Sequence, residues 1–370
     1  MRNFKILSVY SAGHFVVDML SSFIMLGILT KYRVDDTSLA FFSVLLYNFC
    51  AFALQFPLGI LSDKLNKNGL VSTMGMLFST LALIISPLVS EFFILIPSVL
   101  VGIGNALYHL GGGIDVLNIS EGKATLPGVY VATGAMGLFL GGVFAYTNIS
   151  FIIMIAIGVI TTSLLYWVYK QAKNVYKINN EEFKFECNSE VLAKVLYFMF
   201  FAVCLRSFAG YAIGFDWKTG VLIGIITTIC VMLGKMFGGI IGDRIGWKKI
   251  SMISLTVSSI LFYFAPSNMY CGLIALFLFN MTMPLTLSSL SNSFPNSKGT
   301  MFGLTTLALF LGYFVSLLFG GSFIESVSLY LGINNIGGII LLICSVLSLF
   351  VMVKGLGYYE KISKKKKEDK

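Results

Sequence analysis

The chain has 370 residues, 57% of them hydrophobic and only 12% charged, and its mean hydropathy is +0.87. An average soluble domain carries roughly twice that share of charge. The composition therefore excludes a soluble enzyme or binding module and points to an all-α, polytopic membrane protein with the lipid bilayer as its solvent. The net charge of +9 does not imply a nucleic-acid partner, because the bases gather at the ends of apolar segments and in the C-terminal tail.

Taken in order, twelve apolar runs of about 20 residues each qualify as spans. They cover 4–30, 38–62, 69–90, 92–116, 126–147 and 149–170, then 191–213, 217–241, 249–266, 269–292, 300–322 and 334–356. The first run follows Arg2 and Lys5 as a signal peptide would. It is too long for one, carries His14 and Asp18, and reads as a retained span. Ser90-Glu91 divides spans 3 and 4, and Asn148 divides spans 5 and 6. A polar stretch, 171–190, separates an N-terminal half (1–170) from a C-terminal half (191–357), and a basic tail fills 358–370. Pro57, Pro97 and Pro284 fall inside spans, where a lost amide donor forces local repair. The six cysteines are scattered and form no CxxC or Cys/His cluster, so they read as small apolar residues.

A duplicated motif ties the halves together. Gly59-Ile-Leu-Ser-Asp63-Lys64-Leu-Asn66-Lys67 ends span 2, and Gly239-Ile-Ile-Gly-Asp243-Arg244-Ile-Gly246-Trp-Lys248-Lys249 ends span 8. In each, a glycine lets two helices approach closely, and an Asp followed by a base ends the helix. Gly59, Asp63, Lys64, Gly239, Asp243 and Arg244 are thus candidate gating residues, able to engage a neighbouring helix terminus and release it on switching. A parallel repeat of this kind is a hallmark of transporter halves. Span 5 carries Gly134, Gly137, Gly141 and Gly142 at spacings suited to close helix packing.

Ionisable residues inside spans are costly in lipid and call for a reason. His14 and Asp18 sit four residues apart on one face of span 1. His109 lies in span 4, with Asp115 one to two turns deeper. Arg206 is near the middle of span 7. If the two halves face one cavity, His14, Asp18, His109 and Arg206 make a combined substrate and proton site. The Asp and two histidines would handle protons, and the guanidinium would hold a planar anionic group. The alternatives are a structural Asp18–Arg206 ion pair and histidines that merely satisfy backbone carbonyls. Asp115 reads as a partner of Lys123 or a helix cap, and Lys235 as a base whose stem reaches the membrane surface. Two His and one Asp are also a metal-ligand combination. No Cys or further carboxylate supports it and Arg206 would repel a cation, so no metal site and no cofactor are expected. Absence of GxSxG, HExxH and P-loop motifs argues against an enzyme.

Several motifs give the chain a family likeness. They are the duplicated loop, Gly13-His14-Phe15 with Asp18, Gln55-Phe-Pro57-Leu-Gly59, Tyr108-His109 and Arg206-Ser207. With them the chain resembles the major facilitator superfamily, and within it the fosmidomycin-resistance type of efflux transporter. It departs from the pattern at Asn66, where the loop motif has Gly, at Leu110, where the subgroup has Pro, and at Leu138, where the antiporter motif has Pro. The resemblance implies twelve helices in two pseudo-symmetric six-helix halves and a monomer in the cell membrane. It also implies proton-coupled efflux of small molecules or drugs by alternating access. Uptake of an organic anion on the same scaffold is the alternative.

Orientation follows from the bases. Of 26 Lys and Arg, 21 fall in segments that share a side with the N-terminus, three (Lys31, Arg33, Lys218) on the other, and Arg206 and Lys235 within spans. Positive charge marks the cytoplasmic side, so both termini are expected there. A fluorescent protein fused after Lys370 should fluoresce in cells, and alkaline phosphatase fused at the same point should be inactive. The opposite pattern would invert the topology.

Overall fold

The computed structural model describes residues 2–32, 37–147, 149–172 and 183–368. Among them every regular element is helical. Residues 173–182, half of the polar stretch between the halves, and Asn148 lie outside the described residues. In chain order the helices are α1 (Arg2–Tyr32), α2 (Thr37–Asn48), α3 (Gln55–Leu65), α4 (Asn68–Ile85), α5 (Leu95–Ile119), α6 (Thr125–Ala145), α7 (Phe151–Ala172), α8 (Glu190–Ala212), α9 (Gly220–Ile245), α10 (Trp247–Phe264), α11 (Met269–Asn280), α12 (Met283–Ser293), α13 (Lys298–Phe319), α14 (Ser322–Leu331) and α15 (Ile336–Glu368).

Eleven helical segments among the described residues are long and apolar enough to cross a membrane. The remaining expected span, 249–266, is helical as α10 but more polar than the others. Lys248 and Lys249 open it, and Ser251, Ser254, Ser258 and Ser259 are buried along it. Those serines face protein rather than lipid: Ser259 Oγ lies 2.9 Å from Ser345 Oγ on α15, within hydrogen-bond reach. The last helix also runs past the expected end of span 12, through the basic tail to Glu368.

Two expected bends are present. Proline at 57 has no amide to continue the helix, and α2 passes through a wide π turn at Phe49–Ala53 before α3 begins. There Leu54 N bonds Phe49 O at 3.1 Å, and the Gln55 side-chain amide bonds Ala51 O at 2.6 Å. Pro284 lies in the first turn of α12, just after a break at Met281–Thr282. The third does not bend a span: Pro97 sits in the first turn of α5, where a missing amide costs nothing.

The chain forms two compact units. The first holds Met1–Glu121, Val129–Phe183 and Asn296–Thr306. The second holds Gly122–Gly128, Lys184–Pro295 and Leu307–Lys370. This division departs from a simple halving of the sequence in two short segments, each containing the first turn of a helix: α13 joins the first unit there, and α6 the second. In the first unit α4 packs on α5 through small residues, with Gly75 against the Tyr108 amide and Gly104 against Ser79. In the second unit α15 packs along α8 and α10.

Both motif helices are followed by a residue with positive φ. Asn66 follows α3 in the left-handed helical region (φ 50°, ψ 41°), and Gly246 follows α9 at φ 101°, ψ 134°. Asn is among the few non-glycine residues that tolerate this region, which explains why it replaces the motif glycine. Asn66→Gly should leave the thermal unfolding midpoint in detergent unchanged or raised. Asn66→Val should lower it, with a cost of about 1–2 kcal/mol. Equal midpoints for the two variants would contradict the backbone reading.

Candidate functional site

In the first unit three helices bring His14, Asp18 and His109 together. The i, i+4 spacing on α1 sets His14 Nε2 at 3.3 Å from Asp18 Oδ2. From α5, His109 Nε2 comes to 2.8 Å from His14 Nε2 and 3.6 Å from Asp18 Oδ1. The rings meet edge to face, with centroids 4.4 Å apart. His14 is 5% exposed, and Asp18 and His109 are largely buried. The third helix, α6, contributes a carbonyl and a gap. His14 Nδ1 meets Tyr130 O at 2.7 Å. A Cβ on Gly134 would overlap Asp18 Oδ2 and His14 Nε2. Gly137 and Gly141 bring α6 against the α1 carbonyls of Phe15 and Met19, and Gly142 faces Leu26 and Ser22. Sequence spacing marked this face for packing; at Gly134 it also makes room for the trio.

The hydrogen bonds fix where the protons are. His14 Nδ1 faces a carbonyl, and so does His109 Nδ1, at 2.8 Å from Asn105 O. Carbonyl oxygens only accept, so each Nδ1 carries the hydrogen and each neutral Nε2 presents a lone pair. Two lone pairs 2.8 Å apart beside a carboxylate repel one another. The contact becomes attractive when a cation lies among them. With a proton between the two Nε2 atoms, the histidine pair carries one positive charge and Asp18 balances it. Asn105 completes the shell, its Nδ2 donating to Asp18 Oδ1 at 2.8 Å and to Ser21 Oγ at 3.2 Å. Asn105 was not singled out from sequence, although a polar residue one turn before His109 in an apolar span is a usable signal.

Asp115 departs from expectation. It is 1% exposed, and accepts from Tyr10 Oη at 2.6 Å and Asn68 Nδ2 at 2.9 Å. It ties α1, α4 and α5 together, a role that neither pairing with Lys123 nor helix capping describes. Its partners left no sequence signal, since Tyr10 and Asn68 approach it only through packing.

Arg206 lies in the second unit, 7% exposed on α8. Its Nη1 reaches Thr282 Oγ1 and Thr286 Oγ1, each at 3.5 Å, the outer limit of a hydrogen bond. Its Nη2 is buried with no partner. Among the described residues no carboxylate pairs with it, and Asp18 pairs with the two histidines. The two threonines flank the break before α12, so the guanidinium faces the start of that half-helix. The neighbouring Ser207 anchors α8 by donating to Leu309 O at 2.6 Å.

The two motif carboxylates occupy matching sites, one in each unit. Asp63 accepts from Gly299 N at 2.8 Å, Thr300 N at 2.7 Å and Thr300 Oγ1 at 2.8 Å, at the start of α13. Asp243 accepts from Ala124 N at 3.0 Å, Thr125 N at 2.8 Å and Thr125 Oγ1 at 2.6 Å, at the start of α6. Each places a negative charge on the orphan amides of a helix N-terminus, where the dipole favours it. The acceptor sequences repeat too, as Lys298-Gly299-Thr300 and Lys123-Ala124-Thr125. Lys298 Nζ bonds Asn118 Oδ1 at 2.8 Å. Trp247 Nε1 adds a fourth bond to Asp243 at 2.9 Å. Gly59 and Gly239 allow the approach, since a Cβ on either would overlap the carbonyl of Gly299 or Ala124. Lys64 and Arg244 are exposed and take no part in these contacts; Lys64 Nζ lies 5.7 Å from the centre of the Phe183 ring.

No family model and no curated protein sequence matches the chain. Solved structures do. The Escherichia coli fucose:proton symporter FucP, as a single-residue variant, matches with TM-score 0.63 and 14% identity over 95% of this chain and 98% of that one. FucP in the outward conformation, titled a major facilitator superfamily transporter, gives TM-score 0.66 and 14% identity over 95% and 99%. A bacterial homologue of the iron transporter ferroportin, in its outward-facing state, gives 0.66 and 12% identity over 96% and 100%. The chain is a multi-pass membrane protein with the fold of major facilitator superfamily transporters.

Proposed function

We propose that this chain is a proton-coupled secondary transporter that exports a small anionic or amphiphilic compound by alternating access. The observation that carries the reading is Arg206. A buried guanidinium with an unpartnered Nη2 costs several kcal/mol, and an anionic cargo at the start of α12 would offset that cost. The trio His14–Asp18–His109 supports proton coupling, because its facing lone pairs and carboxylate favour a bound proton. Cargo binds at Arg206 while the trio gives up its proton on one side of the membrane, and cargo leaves as the trio is reprotonated on the other. Asp63 and Asp243 act as latches, each released when its helix terminus moves. The subgroup resemblance points to export of drugs of the fosmidomycin type from the cytoplasm by a monomer in the plasma or inner membrane. The proton-symporter neighbour keeps uptake as the second reading, and the relative direction of cargo and protons decides between them.

In an efflux-deficient bacterial host, the wild-type chain should raise fosmidomycin tolerance, and Asp18→Asn and Arg206→Gln should abolish the gain. Gly134→Ala should behave like Asp18→Asn, whereas Gly27→Ala, whose Cβ would meet nothing within 4 Å, should behave as wild type. No protection from wild type present in the membrane would remove fosmidomycin as cargo. In proteoliposomes, cargo and protons moving the same way would replace export with uptake. For the latches, Asp63→Ala and Asp243→Ala should each lower stability by about 1–3 kcal/mol, the scale of charge-assisted hydrogen bonds. Thr300→Val and Thr125→Val should cost less, read as shifts in the thermal midpoint.

A further inference from the structure

We propose that His14, Asp18 and His109 form a binding site for a first-row divalent transition-metal ion, with both Nε2 atoms and an Asp18 carboxylate oxygen as ligands. The inference rests on the trio's geometry and not on the export reading. The three ligand atoms lie within 4.8 Å of one another. Their supports are those a metal site needs. Metal-bound histidines almost always donate the other ring N–H to a carbonyl or carboxylate, which fixes the ligating nitrogen. Both histidines do so here, to Tyr130 O at 2.7 Å and Asn105 O at 2.8 Å. Ligating carboxylates are likewise held by outer hydrogen bonds, as Asn105 Nδ2 holds Asp18 Oδ1 at 2.8 Å.

The local charge also favours a cation. Asn105 donates to the carboxylate and to Ser21, Gly134 borders the carboxylate and Tyr130 the His14 ring from α6, and all four are neutral. The expectation that Arg206 would repel a cation depends on their sharing a cavity; the trio belongs to the first unit and Arg206 to the second. Two imidazoles and one carboxylate suit Zn2+, Fe2+, Co2+ or Mn2+ better than Ca2+ or Mg2+, which prefer oxygen ligands. Metal–nitrogen bonds of about 2.0–2.1 Å at a tetrahedral angle need the nitrogens roughly 3.3 Å apart. The observed 2.8 Å must therefore open by about half an ångström, a small tilt of either ring. The metal ion would take the two Nε2 lone pairs and an Asp18 carboxylate oxygen.

The test uses the purified full-length protein in detergent, with Zn2+ and Co2+ as probes. Titration calorimetry should find one Zn2+ per chain. Co2+ should give a visible absorption band that Zn2+ removes. Asp18→Asn and His109→Gln should each weaken Zn2+ binding more than tenfold. Asn105→Ala, which removes only the outer support, should weaken it by about tenfold or more. Cys187→Ser, at an exposed thiol, should leave it unchanged. Absence of saturable binding by folded wild type would overturn the inference, as would affinity unaltered in the trio variants or lost with Cys187. If drug protection depends on Asp18 while wild type binds no metal, the export reading stands and this one falls. If metal binds and no protection is seen, the reverse holds.

Discussion

Hydrocarbon offers no hydrogen bonds, so each polar group within a span must find its partner in the protein. Most do so locally. Ser21, Thr80, Thr161 and Ser259 each donate to the carbonyl four residues back, a solution available to any helix. Others need further helices, as when Asp115 on α5 takes Tyr10 from α1 and Asn68 from α4. The trio likewise draws on three helices. Arg206 stands apart: among the described residues it is the one charged side chain with a buried, unsatisfied atom. A constraint met almost everywhere makes that exception conspicuous.

The same constraint bears on the trio. A lone carboxylate in lipid costs several kcal/mol. Two imidazoles whose Nδ1 hydrogens are committed to backbone carbonyls can offset it only by holding a cation between them. Proton and metal ion are two occupants of one arrangement, differing in how far the rings must part. Gly134 is integral to this arrangement, because any side chain there would fill the space in which the ligand atoms converge.

The latches show how a local motif acquires a distant partner. Asp63 and Asp243 each terminate a helix within a short sequence that repeats between the halves. Their partners, the first amides of α13 and α6, lie far along the chain and repeat as well. Each pairing involves the start of a helix that the division assigns to a different unit from the rest of that helix, residues 298–306 of α13 and 125–128 of α6. A carboxylate on a helix N-terminus is strong while it is dry and aligned, and it loses its donors together if the helix end moves. That all-or-none quality suits a contact made and broken in transport.

The sequence by itself determined the class of the molecule, the spans and the residues worth attention. Apolar runs long enough to cross a bilayer have one stable environment, and an ionisable residue inside one is conspicuous. The i, i+4 rule even placed His14 beside Asp18. Tertiary structure decided what that rule cannot reach. His109 joins the pair because small residues let α5 and α6 close on α1, and its tautomer is set by Asn105, its own helix neighbour. The carbonyl of Tyr130 is invisible in sequence, since every residue has one. Asp115 looked like a helix end and is a buried tie. Gly299, Thr300, Ala124 and Thr125 drew no attention because backbone amides, not side chains, make most of the bond. Periodicity reports which face of a helix a residue occupies; which other face it meets depends on packing between segments far apart in the chain.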